Sequence, residues 1–348
     1  IVHHFHLACG LVFGGNFKLQ RTIYETYNLE ELARTPVLLE IIIKTISEIR
    51  GKVSHINAAK LYQIYTDFWL DREYDEKGDV RWLVTRKEKE LFVLNLAWTM
   101  LLTDNLNPEI HFSKLSERVR SYFGLEKASE IEYFSSDIRF CSYLTHSETD
   151  GNYRFIHKSF MEYFSARRIY QSLFDEQDIS AIVTDKPITD EVFFFLCQMI
   201  SSNEIDLLRR LSREEKDKTN KEFIIGLTAR VLQQSMNIYE QRGAIQTAED
   251  WVDRLLQYSD EFGFDKGKLW GAIAKGKLRA QLGQYAEAET SYRKALSISE
   301  QMGDRLGVSQ SLIQLGTVSQ SRGELDIALE YYQHALAIFE ELGDRVSV

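Results

Sequence analysis

His157 is the side chain with the clearest chemical potential in this sequence of 348 residues. It lies in YRFIHKSF (153–160), between the turn signal Asp150-Gly151 and the helix-forming run MEYFSARRIY. Apolar residues alternate up to the imidazole and then change period, which places the ring at a strand-to-helix junction. An imidazole there can donate to an anion, because a helix start already favours negative charge and the ring can become cationic near neutral pH. The same ring could instead sit in the core, bonded to a backbone carbonyl. GAIAKGKL (271–278) approaches a phosphate-cradling G-x-x-x-x-G-K-[ST] loop through Gly271, Gly276 and Lys277. It ends in Leu278 where a metal-binding hydroxyl is needed, and it falls inside a predicted helix. No short apolar run ends in paired acids, and no nucleophile–base pair has recognisable spacing. The chain is therefore not expected to be an enzyme. His3, His4 and His6 read as a flexible terminus, so no metal or resident cofactor is expected.

The elements that must position these residues are mostly helical. Only 3 prolines interrupt a chain that is 44% hydrophobic and 27% charged, enough for two or three packed domains. The net charge of -10 gives no global basic field for nucleic acid. FVLNLAWTMLL (92–102) and VFFFLCQMI (192–200) are too short to span a bilayer and read as buried helices, so no membrane association is expected. Cys9, Cys141 and Cys197 are odd in number and far apart, which argues against a disulfide framework and for the reducing cytoplasm. The sequence opens without Met or a leader pattern, as part of something longer.

Self-comparison is the most informative test. Gly243, Gly283 and Gly323 are spaced by 40, as are Gly263, Gly303 and Gly343, and Ala248, Ala288 and Ala328 repeat in register. LGQYAEAETSYRKALSISEQMGDR stands against RGELDIALEYYQHALAIFEELGDR. Each half has helical periodicity and closes on a glycine, so each unit is expected to be a helical hairpin. Small residues at Gly276, Ala288 and Ala295, and again at Gly316, Ala328 and Ala335, let paired helices approach. These offsets, with Leu312, Leu315 and Tyr332, resemble the tetratricopeptide repeat. The first unit departs from the pattern, with Met236 and Leu255 at small positions. The resemblance implies a superhelix whose first helices line a binding surface for a protein or peptide ligand. The candidates are Trp270, Ile273, Lys277 and Gln281, then Gln310, Ile313, Thr317 and Gln320, several of which could instead be contacts between hairpins. The last helix carries Tyr331, Tyr332, Leu336 and Phe339 with no polar cap after it, so further repeats are expected.

In the front part, NLEELAR (28–34) starts with an Asn cap. Thr35 can cap TPVLLEIIIKTISEIRG, with Pro36 at the first helical position and Gly51 at the end. AAKLYQIYTDFWLDREY follows, with Leu61, Tyr65, Phe68 and Trp69 on one side. Thr85 and Glu88 make a capping box before LFVLNLAWTMLL. Helices over 113–123 and 129–140 lead to a hairpin of Cys141–Leu144 with Tyr153–His157. Ser159 and Glu162 make a second capping box. This order suggests a winged helix. Its usual role, DNA binding, needs a basic face, and only Arg154, Lys158, Arg167 and Arg168 cluster.

LARTPVLL followed by YRFIHKSFMEYFSARRI resembles the C-terminal part of a NACHT-type signalling NTPase, a member of the STAND class of switch ATPases. The matching residues are Phe155, His157, Phe160, Glu162, Tyr163, Phe164 and Ala166, with Met161 where relatives often carry glutamine. The resemblance implies that His157 faces the β-phosphate of bound ADP and that Pro36 sits against the adenine. The nucleotide-binding core, with ATP or ADP and Mg, would then lie in the parent protein outside this sequence.

The expected fold is mainly α. It comprises a helical region (1–84), a winged helix with a small β-hairpin (85–175), a helical connector (176–222) and an α-α superhelix of three hairpins (223–262, 263–302, 303–342). The expected function is the regulatory and sensor part of a nucleotide-switch signalling protein, with possible homo-oligomerisation on activation. The alternatives are a plain repeat scaffold without nucleotide and, more weakly, a DNA-binding regulator.

Overall fold

A computed structural model of the chain describes residues 36–49, 56–77, 85–103, 109–127, 129–132, 143–146, 151–175 and 178–346. The Asn28, Thr35 and Gly51 signals, His3, His4, His6, Cys9, Cys141, the side chain of Trp69 and the span 133–140 lie outside the described residues. The chain is mainly helical and divides into two compact units, Ile1–Ile200 and Ser201–Val348.

The first unit begins with α1 (Pro36–Ile49) and α2 (Ala58–Lys77), which pack on each other. Proline suits the first turn of α1 because its missing N–H would have no partner there. Asn57 caps α2 by accepting from the Lys60 N–H at 2.8 Å. Helix α3 (Arg86–Leu101) starts on the expected capping box, with Glu88 N–H donating to Thr85 Oγ1 at 3.3 Å and Thr85 N–H to Glu88 Oε2 at 2.7 Å. It buries Phe92, Val93, Leu94, Leu96, Ala97, Trp98 and Met100, so it is enclosed nearly all round, as its unbroken apolar run requires.

A small antiparallel sheet follows, made of β1 (Ile110–His111), β2 (Leu144–His146) and β3 (Asn152–Phe155) in the order β1-β3-β2. Helix α4 (Phe112–Phe123) leaves directly from β1 and ends at Gly124, which has a positive φ of 62°. The sheet differs from the expected hairpin in two ways. Leu144 pairs with Phe155 and His146 with Tyr153, so the first strand sits later in the sequence than expected and His157 falls beyond the ladder. A third strand pairs Ile110 with Tyr153, and two residues are too few to show a period-2 pattern.

Helix α5 (Lys158–Phe174) is the centre of this unit, packed against α3 and α6 (Asp190–Met199). Its cap corrects the expected Ser159–Glu162 box: the cap is His157, whose side chain accepts from the Ser159 N–H. The helix therefore starts with Lys158, and Glu162 pairs with Lys158 at 3.1 Å instead of reaching back to the cap. Tyr62 is 1% exposed and packs its ring on Phe160, Tyr163 and Phe195 at centroid distances of 4.9, 5.2 and 5.0 Å.

The second unit is a stack of helical hairpins. Helix α7 (Ser202–Glu214) packs on α8 (Lys218–Gln241), and its Ser212 hydroxyl lies 2.6 Å from the Tyr258 hydroxyl on α9 (Ile245–Phe262). Then come α10 (Asp265–Gln281) with α11 (Tyr285–Met302), and α12 (Arg305–Ser321) with α13 (Leu325–Val346). Gly263 and Gly303 close α9 and α11 in the left-handed region, at φ 64° and 66°. Gly343, expected to do the same, lies inside α13. Glycine permits a left-handed turn without forcing one. Leu325, Leu329, Leu336 and Phe339 are exposed on α13, whereas Leu296 and Leu256, one and two repeats before Leu336, pack against core clusters. Among the described residues, no helix is long and apolar enough to cross a membrane.

Candidate functional site

Close approach of paired helices builds the repeat surface. A Cβ on Gly276 would lie 2.6–2.8 Å from ring atoms of Tyr292, and one on Gly316 would lie 2.7–3.0 Å from Tyr332. The glycine on the first helix makes room for a tyrosine on the second. In the first hairpin the same register holds Met236 and Val252, which share one buried cluster. The bulk has changed sides, so the apparent irregularity at Met236 is compensated 16 residues later, a pairing that the sequence shows only once the helix contact is known.

Within this unit α8 touches α10 and α10 touches α12, while the second helices approach one another less closely. This crowding puts the first helices on one continuous inner face. Three rows cross it in register: Arg230, Trp270 and Gln310; Gln233, Ile273 and Ile313; Asn237, Lys277 and Thr317. Arg230 lies over the Trp270 ring at 5.3 Å and Lys266 Nζ at 5.5 Å, a cation–π arrangement that orients the indole. Ile273 and Ile313 are half-buried; Ile273 also packs on a cluster that includes Leu315 and Val318 of the next hairpin, and Ile313 packs on the cluster of its own hairpin. Lys277 pairs with Glu240 at 2.8 Å, and Gln281 Nε2 donates to the same carboxylate at 2.9 Å. The hydroxyl of Tyr292 is pushed up to about 12 by burial and by the charge of Glu240. Tyr332 donates to Thr317 at 3.3 Å and to Gln320 at 3.1 Å, and Gln310 stays exposed.

All eight residues read from the sequence are thus on α10 and α12, where half-buried apolar groups alternate with amides and one paired lysine. Arg230, Lys266 and Glu240 were missed. Extending the 40-residue register into α8 finds Arg230, which aligns with Trp270, whereas Glu240 aligns with Ala280, outside the candidate set.

Ion pairs tie the outer layer. Lys275 meets Asp253 at 3.1 Å and Arg279 meets Glu249 at 3.2 Å, joining α9 to α10. Glu289 accepts from Arg293 at 2.8 Å and from Arg322 at 2.7 Å. The Arg293 hydrogen bond, together with the Arg322 charge, holds the Glu289 carboxyl below the usual carboxylate range. The folded state therefore gains stability from Glu289 above the unfolded value and loses it as pH falls through the folded value. Glu289→Gln is expected to cost about 0.5 kcal/mol at pH 7 and almost nothing at pH 3, measured from urea midpoints. An equal cost at both pH values would assign the effect to packing.

In the first unit His157 is exposed at the start of α5. Its Nδ1 accepts from the Ser159 N–H at 3.1 Å and lies 2.6 Å from Ser159 Oγ. Ser159 Oγ in turn lies 2.5 Å from the Tyr62 hydroxyl. The same cap recurs at the start of α4, where His111 Nδ1 accepts from the Ser113 N–H at 3.3 Å. Pro36 opens α1, and its side chain lies outside the described residues. Burial pushes the Glu162 carboxyl up against the pull of Lys158.

A search of curated proteins finds no match to this chain. The tetratricopeptide repeat family model matches residues 265–341, from the start of α10 into α13, so this stretch of the chain consists of tetratricopeptide repeats, which are protein-interaction modules.

Proposed function

We propose that the inner face of α8, α10 and α12 binds a segment of a partner protein. The observation that carries this is the Trp270 ring, flanked by Arg230 and Lys266 and continuous with Ile273 and Ile313 on adjacent first helices. An oriented aromatic anchor beside aliphatic groups and amides suits a peptide side chain and its backbone. A phage-displayed peptide library selected on the whole chain tests it. Trp270→Ala is expected to weaken a selected peptide about tenfold or more, and Lys277→Glu is expected to alter it by a comparable factor. Lys294→Glu, at an exposed position of α11, is the control. Equal binding by wild type and both inner-face variants would refute the assignment.

We further propose that the first unit is the clamp of a nucleotide switch of NACHT type. Two observations favour this reading. The order α3, β1, α4, β2, β3 with sheet order β1-β3-β2 is compatible with the winged helix expected from the sequence, and His157 stands exposed at the start of the helix that follows. Only the sensing end of such a site has its residues in this sequence. His157 can donate to a phosphate oxygen of ADP, while no glycine-rich loop or Mg-binding hydroxyl is present to hold the rest. The proposal gives this chain no catalytic step. A phosphate-binding loop encoded upstream of Ile1 would support it, and a start codon immediately before Ile1 would remove it. In a protein carrying that loop, His157→Leu is expected to release ADP about tenfold faster.

A further inference from the structure

We propose that Ser159 and Tyr62 are positioning residues that hold the His157 imidazole with its proton on Nε2. The role given to that proton rests on the nucleotide-switch reading; the tautomer itself does not.

The Ser159 N–H is a donor only, and it points at His157 Nδ1 from 3.1 Å. Nδ1 must therefore present its lone pair. Ser159 Oγ is 2.6 Å from the same nitrogen, so its proton has to lie between them. With that proton committed, the oxygen can only accept from its other neighbour. The neighbour is the Tyr62 hydroxyl at 2.5 Å. Burial, the first cause, raises Tyr62 to about 12, so it keeps its proton through the neutral range and serves as the donor. The Tyr62 and Ser159 hydroxyl protons are thereby both directed along the row toward Nδ1.

The tyrosine is well fixed for this task. Its ring is enclosed by Phe160, Tyr163 and Phe195, so the hydroxyl cannot swing away without disturbing the core of the unit. The consequence for binding is selective. Nδ1 is used up, and Nε2 carries hydrogen. His157 thus offers a donor, which suits an oxyanion such as a phosphate oxygen and does not suit a metal ion or a ligand that is itself a donor.

The test uses the whole chain labelled with ¹⁵N-histidine, with two-bond ¹H–¹⁵N spectra recorded where the imidazole is neutral. His157→Leu identifies the resonance among the 8 histidines, and His111, which shares the cap, is an internal reference. Wild type is expected to hold the Nε2–H form over the Nδ1–H form by about tenfold or more. Ser159→Ala removes one of the two donors to Nδ1 and is expected to lower that ratio several-fold. Ser159→Thr keeps the hydroxyl and restores the ratio. Tyr62→Phe frees the serine proton to rotate and gives an intermediate ratio. An Nδ1–H form in wild type, or ratios unchanged in Ser159→Ala and Tyr62→Phe, overturns the proposal. The nucleotide reading fails separately: ADP retention unchanged by His157→Leu in the protein with its core removes that reading and leaves the spectra to decide the tautomer.

Discussion

Gly276→Met is expected to destabilise the repeat unit by about 1 kcal/mol, and adding Tyr292→Val is expected to recover most of the loss. The glycine has no room for a side chain, since even a Cβ would fall within 2.6–2.8 Å of the Tyr292 ring. Overpacking of this kind costs about 1–3 kcal/mol, offset by about 1 kcal/mol because glycine is a poor helix former. Tyr292→Val alone leaves a void where the ring was and should cost about 2–4 kcal/mol. The double variant copies the pair found at Met236 and Val252, which fills the same contact with the bulk reversed. Denaturant midpoints of the four proteins close a double-mutant cycle, and the coupling should be favourable by about 2 kcal/mol or more. Simple additivity would mean that the two side chains do not share one space.

The second large effect belongs to the first unit. Tyr62→Ala is expected to cost about 3–5 kcal/mol, the range for deleting a buried aromatic side chain. The ring meets Phe160 and Tyr163 of α5 and Phe195 of α6, so its loss opens the joint among α2, α5 and α6. Tyr62→Phe keeps the ring and forfeits only the hydroxyl contact with Ser159, about 1 kcal/mol. Amide exchange along α5 measures both. Comparable losses in the two variants would place the weight on the hydrogen bond instead of the packing.

The repeats were the most legible part of the sequence because their periodicity is written in glycines whose conformation is special. Gly243, Gly263, Gly283, Gly303 and Gly323 all have positive φ, and the helices end where they stand. Gly343 shows the limit of that rule, since a residue type states what is allowed and the surrounding contacts decide what is adopted. Short-range chemistry was also readable, as the Thr85–Glu88 box shows. The cap of α5 was misread because histidine is not a common cap, although His111-Phe112-Ser113 and His157-Lys158-Ser159 carry the same His-x-Ser spacing. Tyr62 was missed because nothing local marks it: its partner Ser159 is 97 residues away, and periodicity on α2 singles out its neighbours Leu61 and Tyr65 equally well. On the inner face, helix position alone identified the exposed residues of α10 and α12. The Lys277–Glu240 pair needs two hairpins in place before it exists.

The exchange of bulk between Met236–Val252 and Gly276–Tyr292 also sets the unit in which this array could be rearranged. A graft that joined α8 to α11 would set methionine against tyrosine, and one that joined α10 to α9 would leave glycine facing valine across a gap. A deletion, duplication or engineered insertion that respects whole hairpins keeps each contact intact. Cut points for shuffling this array therefore lie at Gly263 and Gly303, between hairpins, and not at Gly243, Gly283 or Gly323 within them.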